Sequence, residues 1–250
     1  MVSGAVPASE EGEMRVSMVR SYGNSARAVE RRYGFFMHIA VLMLALMTLA
    51  TTSPAQAQPA AKPIKLVVLG DSLSAGLGLP AQDAFPAKLQ KALQAKGIAA
   101  DMINAGVSGD TSSGGRDRLD WSVPDGTEGV IIELGANDAM RGIDPDLTRA
   151  ALTDIVRRLK ARKIAVMLCG MLAPPNFGAD YGARFNSIYP DLAKQFDVPL
   201  YPFFLDGVAA DAKLNQADGI HPTAEGVDII VNNMLPTVEA FLRTIGEQRR

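Results

Sequence analysis

The feature that most constrains this chain is an alternation of short β-rich runs with longer amphipathic segments, from Ile64 to the C-terminus. Ile64–Leu69 is a β-rich run closed by Gly70. Phe85–Lys96 sets Phe85, Leu89, Ala92 and Leu93 on one helical face, with Gly97 as a stop. Asp101–Asn104 is a short strand. Gly129–Leu134 and Ile164–Cys169 are nearly uninterrupted apolar runs, as strands covered on both faces should be. Leu147–Ala161 turns Leu152, Ile155, Val156 and Leu159 inward. Arg184–Phe196 reads as helix, Val198–Phe204 as strand and Ala224–Ile245 as a long closing helix. Strands and helices in this rhythm imply right-handed βαβ crossovers. The expected fold is a single three-layer α/β domain, a parallel five-stranded sheet with helices on both faces. In such open sheets ligands bind beyond the carboxyl ends of the strands. Chemistry is therefore expected just after Leu69, Asn104, Leu134 and Cys169.

The 57 residues before this pattern read differently. Arg31 and Arg32 precede an uncharged apolar run, Phe35–Ala50, and a small polar stretch ends in Ala55-Gln56-Ala57. A basic flank, a short apolar core and an A-x-A site describe a secretory signal peptide. At 16 residues the run is shorter than the ~20 needed to span hydrocarbon, which disfavours a membrane anchor. The segment before Arg31 is long for a basic region, and Met14 and Met18 offer later starts. Residues 1–57 are thus expected to be a cleavable leader and 58–250 the folded domain, with a periplasmic or secreted destination. The leader holds five of the 25 basic and four of the 27 acidic residues, leaving 20 against 23, a net charge of −3. No basic stripe favours nucleic acid. The lone Cys169 has no intrachain partner and sits in an apolar run, where a buried, inert thiol is the default.

Four stretches stand at the expected strand ends. Gly70-Asp71-Ser72-Leu73 places a serine two residues beyond the first strand, with its hydroxyl at the sheet's rim; the plain alternative is a turn in which Asp71 or Ser72 caps a helix. Gly106-Val107-Ser108-Gly109-Asp110-Thr111 is a Gly-rich turn whose N–H groups can face a ligand, or a loop with Thr111 as helix cap. Gly135-Ala136-Asn137-Asp138 can aim an amide into the crevice or form an Asx turn. Asp218-Gly219-Ile220-His221-Pro222 carries the one histidine that follows the leader. There a carboxylate three residues earlier can reach Nδ1 and leave Nε2 free to accept a proton. Each stretch alone has a bland reading.

Together, in this order and in these contexts, GDSL at Ser72, SGDT at Gly109, GAND at Asn137 and DGIHP at His221 resemble the SGNH (GDSL-like) hydrolases over the whole of 58–250. The stretches NAGVSGDTSSGG, LAPPNFGADY and AKQFDVPLYPFF look like the bacterial periplasmic thioesterase/lysophospholipase and arylesterase branch. The resemblance implies a flavodoxin-like sheet and hydrolysis of carboxylic esters through an acyl-enzyme. Its catalytic residues are Ser72, Asp218 and His221, and its oxyanion hole is the N–H groups of Ser72 and Gly109 with the amide of Asn137. No metal or organic cofactor is expected. The partner is a small-molecule acyl ester or thioester, with no nucleic acid, no stable membrane insertion after cleavage of the leader, and a monomer as the default.

Three loops are expected to line an acyl pocket: Leu77 and Leu79 after the serine, Met140 after Asn137, and the run Met171–Tyr181 with Ala173, Pro174, Phe177 and Tyr181. For that last run a loop stapled to the core is an equal reading. Trp121, without a partner motif, is expected as core or rim packing. Two rival functions remain: a non-catalytic flavodoxin-like binding protein, which leaves Asp218 and His221 unexplained, and a polysaccharide O-acetyl esterase, which favours an open polar groove.

Overall fold

The computed structural model describes residues 62–249, together with Met37, His38, Leu42 and Met43. The chain divides into two units, Met1–Ala60 and Ala61–Arg250. The leader expected over 1–57 otherwise lies outside the described residues. No helix among the described residues is long and apolar enough to cross a membrane.

In the second unit five parallel strands, β1 (Ile64–Gly70), β2 (Ala100–Gly106), β3 (Gly129–Glu133), β4 (Ala165–Cys169) and β5 (Leu200–Tyr201), lie in the order β2-β1-β3-β4-β5. The order reverses direction between β1 and β3, which opens a crevice at their carboxyl ends. The two central strands carry the densest burial: Leu66, Val67, Val68, Leu69, Val130 and Ile131 have no exposed surface. Each such side chain contributes roughly 1.5–3 kcal/mol on burial.

Helices cover both faces. On one, α2 (Phe85–Ala95) packs against the closing helix; on the other, α3 (Ser112–Asp117) packs on α6 (Pro145–Ala161) and α6 on α8 (Ile188–Phe196). The closing helix, α9 (Ala224–Gln248), also touches β1 and β5. Shorter helices α1 (Ser72–Ala75), α4 (Leu119–Ser122), α5 (Ala136–Met140) and α7 (Ala179–Asn186) sit between them. This is the three-layer α/β fold expected from the sequence.

Local details depart from the pattern. The helix expected over Arg184–Phe196 is two helices, parted at Ser187. There the hydroxyl donates to Arg184 O at 3.1 Å and accepts from Arg149 Nη2 at 3.0 Å, side-chain bonding that competes with a regular helix. The strand expected over Val198–Phe204 pairs only at Leu200 and Tyr201. Pro202 follows at once and has no N–H for the ladder. Trp121 is not packed in the core: it is 76% exposed. Leu119 and Val123, four apart on the same helical face, are fully buried and turn Trp121 the other way.

Candidate active site

The end of β1 is where the backbone turns most sharply. Asp71 leaves the strand and caps α1, its Oδ1 accepting from Leu73 N at 3.0 Å. Ser72 is therefore the first residue of a helix, and its N–H has no intrahelical acceptor. Glycine is required beside it, because a Cβ at Gly106 would come within 2.4 Å of Ala75 N. That close approach packs α1 directly on the end of β2. Arg118, almost fully buried, ties the strand ends together. It donates to Gly70 O (2.8 Å), Ala105 O (2.8 Å) and Asp110 Oδ2 (2.5 Å).

Two stretches far apart in sequence meet here. Ser72 Oγ lies 2.8 Å from His221 Nε2, and His221 Nδ1 lies 2.7 Å from Asp218 Oδ2. Asp218 also accepts from the N–H groups of Ile220 (2.9 Å) and His221 (3.0 Å). Those backbone donors, with the imidazole, hold its carboxyl down at about 2. The carboxylate is thereby ionised and able to fix the imidazole with Nε2 facing the serine. The serine is 8% exposed and the imidazole 15%, so both are sheltered yet open to a cleft. The loop holding them turns on Gln216, whose N–H donates to His221 O at 2.7 Å.

Gly109 adopts φ +84°, a region that favours glycine, in the turn after β2. Among the described residues its N–H makes no hydrogen bond, nor does that of Ser72. Thr111 caps the helix that follows, accepting from Gly114 N at 3.2 Å. Asn137 lies not in an extended strand end but as the second residue of α5, and its Nδ2 donates to Asp71 Oδ2 at 3.1 Å. Beside it Asp138, buried, accepts from Ser112 N (2.8 Å), Ser112 Oγ (2.5 Å) and Thr148 Oγ1 (3.0 Å), which locks α3, α5 and α6 together.

Ser72, Gly109, Asn137 and His221 line one cavity of about 600 Å³. Of the expected pocket residues, Leu77, Met140, Met171 and Pro174 line it. Leu79, Ala173, Phe177 and Tyr181 do not. Leu79 and Ala173 pack against the core. Tyr181 donates to Ile143 O at 2.9 Å, and Phe177 lies against it with ring centroids 5.2 Å apart. An aromatic pair with its hydroxyl bonded to backbone staples the loop to the turn after α5. Further wall comes from Phe203, expected in a strand, from Leu205, Ala209 and Ala210 on a segment without sequence pattern, and from Ile220 beside the histidine.

Sequence reasoning also missed a buried acidic pair beneath the serine. Burial pushes Asp71 up to about 6, against the lowering pull of Leu73 N–H and the Asn137 amide. Glu133, at the end of β3, is fully buried, and its oxygens approach Ser74 and the Asp71 backbone without completing a hydrogen bond. Burial first, and the Asp71 charge second, push its carboxyl well above the usual range. A lone Glu ending an apolar run was the available signal. Cys169 is buried and its thiol is pushed up by burial, the state of an inert sulfur.

Residues 68–229 match the model of the GDSL-like lipase/acylhydrolase family. The chain is 39% identical over 178 residues to the esterase TesA of Pseudomonas aeruginosa, covering 71% of this chain and 89% of the relative. It is 38% identical over 209 residues to the thioesterase 1/protease 1/lysophospholipase L1 of Escherichia coli, covering 83% and 95%. Among solved structures, the SGNH-hydrolase family esterase AlinE4 superposes with a TM-score of 0.61 at 45% identity, over 72% of this chain and 96% of that one.

Proposed function

This chain belongs to the GDSL-like lipase/acylhydrolase family and is a carboxylic ester hydrolase, and we propose that it works through an acyl-enzyme on Ser72. His221 Nε2 takes the Ser72 proton as the oxygen attacks the acyl carbon. The carbonyl π bond opens and places negative charge on the former carbonyl oxygen. Collapse expels the alkoxide or thiolate, which receives the proton from His221. Water, deprotonated by the same imidazole, then cleaves the acyl-enzyme and returns Ser72. Asp218, ionised, supports the imidazolium through Nδ1. The N–H groups of Ser72 and Gly109 and the Asn137 amide receive the oxyanion.

The observation that carries this reading is the continuous relay Asp218–His221–Ser72, with contacts of 2.7 and 2.8 Å, opening on a cavity with mainly apolar walls. Substrates are small-molecule esters. The apolar walls favour acyl chains longer than acetyl, as thioesters, aryl esters or lysophospholipids, over acetylated sugars. The Phe35–Ala50 run and the A-x-A site support export to the periplasm or medium, with a chain starting at Gln58 that acts as a monomer. A fluorophosphonate probe with peptide mass spectrometry tests the nucleophile. Labelling at Ser72, absent in Ser72→Ala, is expected, and labelling elsewhere would refute it. An acyl-length and leaving-group scan tests the substrate class, and highest turnover on acetyl-sugars would overturn the longer-acyl reading.

A further inference from the structure

An amide donates from one end and accepts at the other, so an oxyanion donor built from Asn137 is useful in only one of its two flips. Asn137 turns Nδ2 toward Asp71 Oδ2 (3.1 Å) and Oδ1 toward Arg141 Nη2 (3.4 Å). An ionised carboxylate only accepts and a guanidinium only donates. Each partner therefore favours the observed orientation, and the two together fix it. The same Arg141 nitrogen donates to Gly109 O at 2.9 Å. Arg141 follows α5 four residues after Asn137, so the two lie one helical turn apart on the same side. Among the described residues, both side-chain hydrogen bonds of Arg141 go to Asn137 and Gly109, and no carboxylate lies within ion-pair distance of it. The guanidinium is exposed and is not part of the cavity lining.

Resting on the oxyanion reading above, we propose that Arg141 is a positioning residue, which fixes the flip of the Asn137 amide and anchors Gly109, so that one guanidinium sets two of the three oxyanion donors. It acts through those residues and not by touching the substrate. Asp71 is the opposite jaw of the clamp on Asn137. Without Arg141 the Asn137 carbonyl loses its partner, the amide samples both flips, and the Gly109 turn loosens. The ground-state ester, bound by apolar walls, is little affected. The transition state loses part of its charge stabilisation.

The test uses an uncharged p-nitrophenyl ester and an alkylboronic acid, which adds to the serine as a tetrahedral anion. Both are measured on the purified wild-type chain, Arg141→Met, Arg141→Lys, Asn137→Ala and the Arg141→Met/Asn137→Ala double variant. Arg141→Met should lower kcat between about tenfold and a hundredfold, less than or up to the loss of a full donor. KM should stay within about threefold, and boronate affinity should fall by a factor similar to kcat. The melting temperature should hold, and Arg141→Lys, which keeps a donor, should recover part of the rate. The Arg141→Met penalty should shrink at least about threefold in the Asn137→Ala background, because contacting residues are not additive. An unchanged kcat, a loss confined to KM with boronate affinity intact, or an equal penalty in both backgrounds would each overturn the proposal. A silent Asn137→Ala would bring down the oxyanion reading and this proposal with it. A damaging Asn137→Ala beside silent Arg141 variants would overturn the positioning role alone.

Discussion

Replacing Asp71 by Asn should make the protein more stable at neutral pH and nearly inactive. Asp71 is fully buried, and its carboxyl is raised from 3.8 to about 6. Below about pH 4 it holds a proton in both folded and unfolded chains and costs nothing. Between that point and about 6 the folded chain keeps a proton that the unfolded chain has released, so stability falls as pH rises. Above 6 the fold carries the whole cost of the buried charge, about 3 kcal/mol at 1.36 kcal/mol per pH unit.

Asn lacks the charge and caps a helix as well as Asp does. Its Oδ1 can keep the bond to Leu73 N, which forces its NH₂ to face the Asn137 amide. Two donors then confront each other across the position where Asp71 now accepts. Asn137 flips, and the amide no longer donates into the cavity. The loss expected is that of one oxyanion donor, about 10²–10³ in kcat. Urea unfolding of both proteins at several pH values, with kcat measured in parallel, checks the two halves. Relative to wild type, the variant should gain up to about 3 kcal/mol between pH 4 and 7. A stability difference that does not change with pH, or a kcat within about threefold of wild type, would refute the reasoning.

Other outcomes follow from the same contacts. Ser72→Ala and His221→Ala should each abolish turnover with little change in melting temperature, which activity assays and thermal melts check together. Arg118→Met should destabilise the fold by about 3–5 kcal/mol in chemical denaturation, because it leaves Asp110 and two carbonyls without their buried donor. The rate should rise from acid toward neutral pH as Asp71, raised to about 6, ionises and takes up its bond from the Asn137 amide. Asp218, held at about 2, keeps its charge throughout and adds no limb of its own. A rate flat across about pH 6 would count against this role of Asp71.

Much of the site was readable because its parts are local. Ser72 and Asn137 follow strands whose apolar runs announce themselves, Gly109 follows a short strand and a Gly-rich turn, and Asp218 reaches His221 across three residues. The cavity walls were harder. Leu77, Met140, Met171 and Pro174 line it, while Phe177 and Tyr181, equally apolar in sequence, turn their rings to the loop after α5. Which side of a loop an aromatic faces depends on a carbonyl from another element, here Ile143 O. Phe203 was expected in a strand that in fact stops at Tyr201, and Leu205, Ala209 and Ala210 were invisible because the segment that brings them to the cleft has no period to read. Trp121 went wrong for a simpler reason: its burial is set by the helical phase of Leu119 and Val123, which a lone tryptophan does not reveal.

Periodicity thus determined by itself the layered sheet and the positions of its strand ends, and the four stretches taken together carried the resemblance that implies the chemistry. Only the folded chain decided how those ends interact: that Asp71 loses its water and shifts upward, that burial pushes Glu133 upward beneath it, and that Asp71 and Arg141 grip Asn137 from opposite sides. The physical reason is range. Backbone pattern is written within a few residues, whereas desolvation and hydrogen-bond partnership belong to atoms that become neighbours only after the strands have aligned.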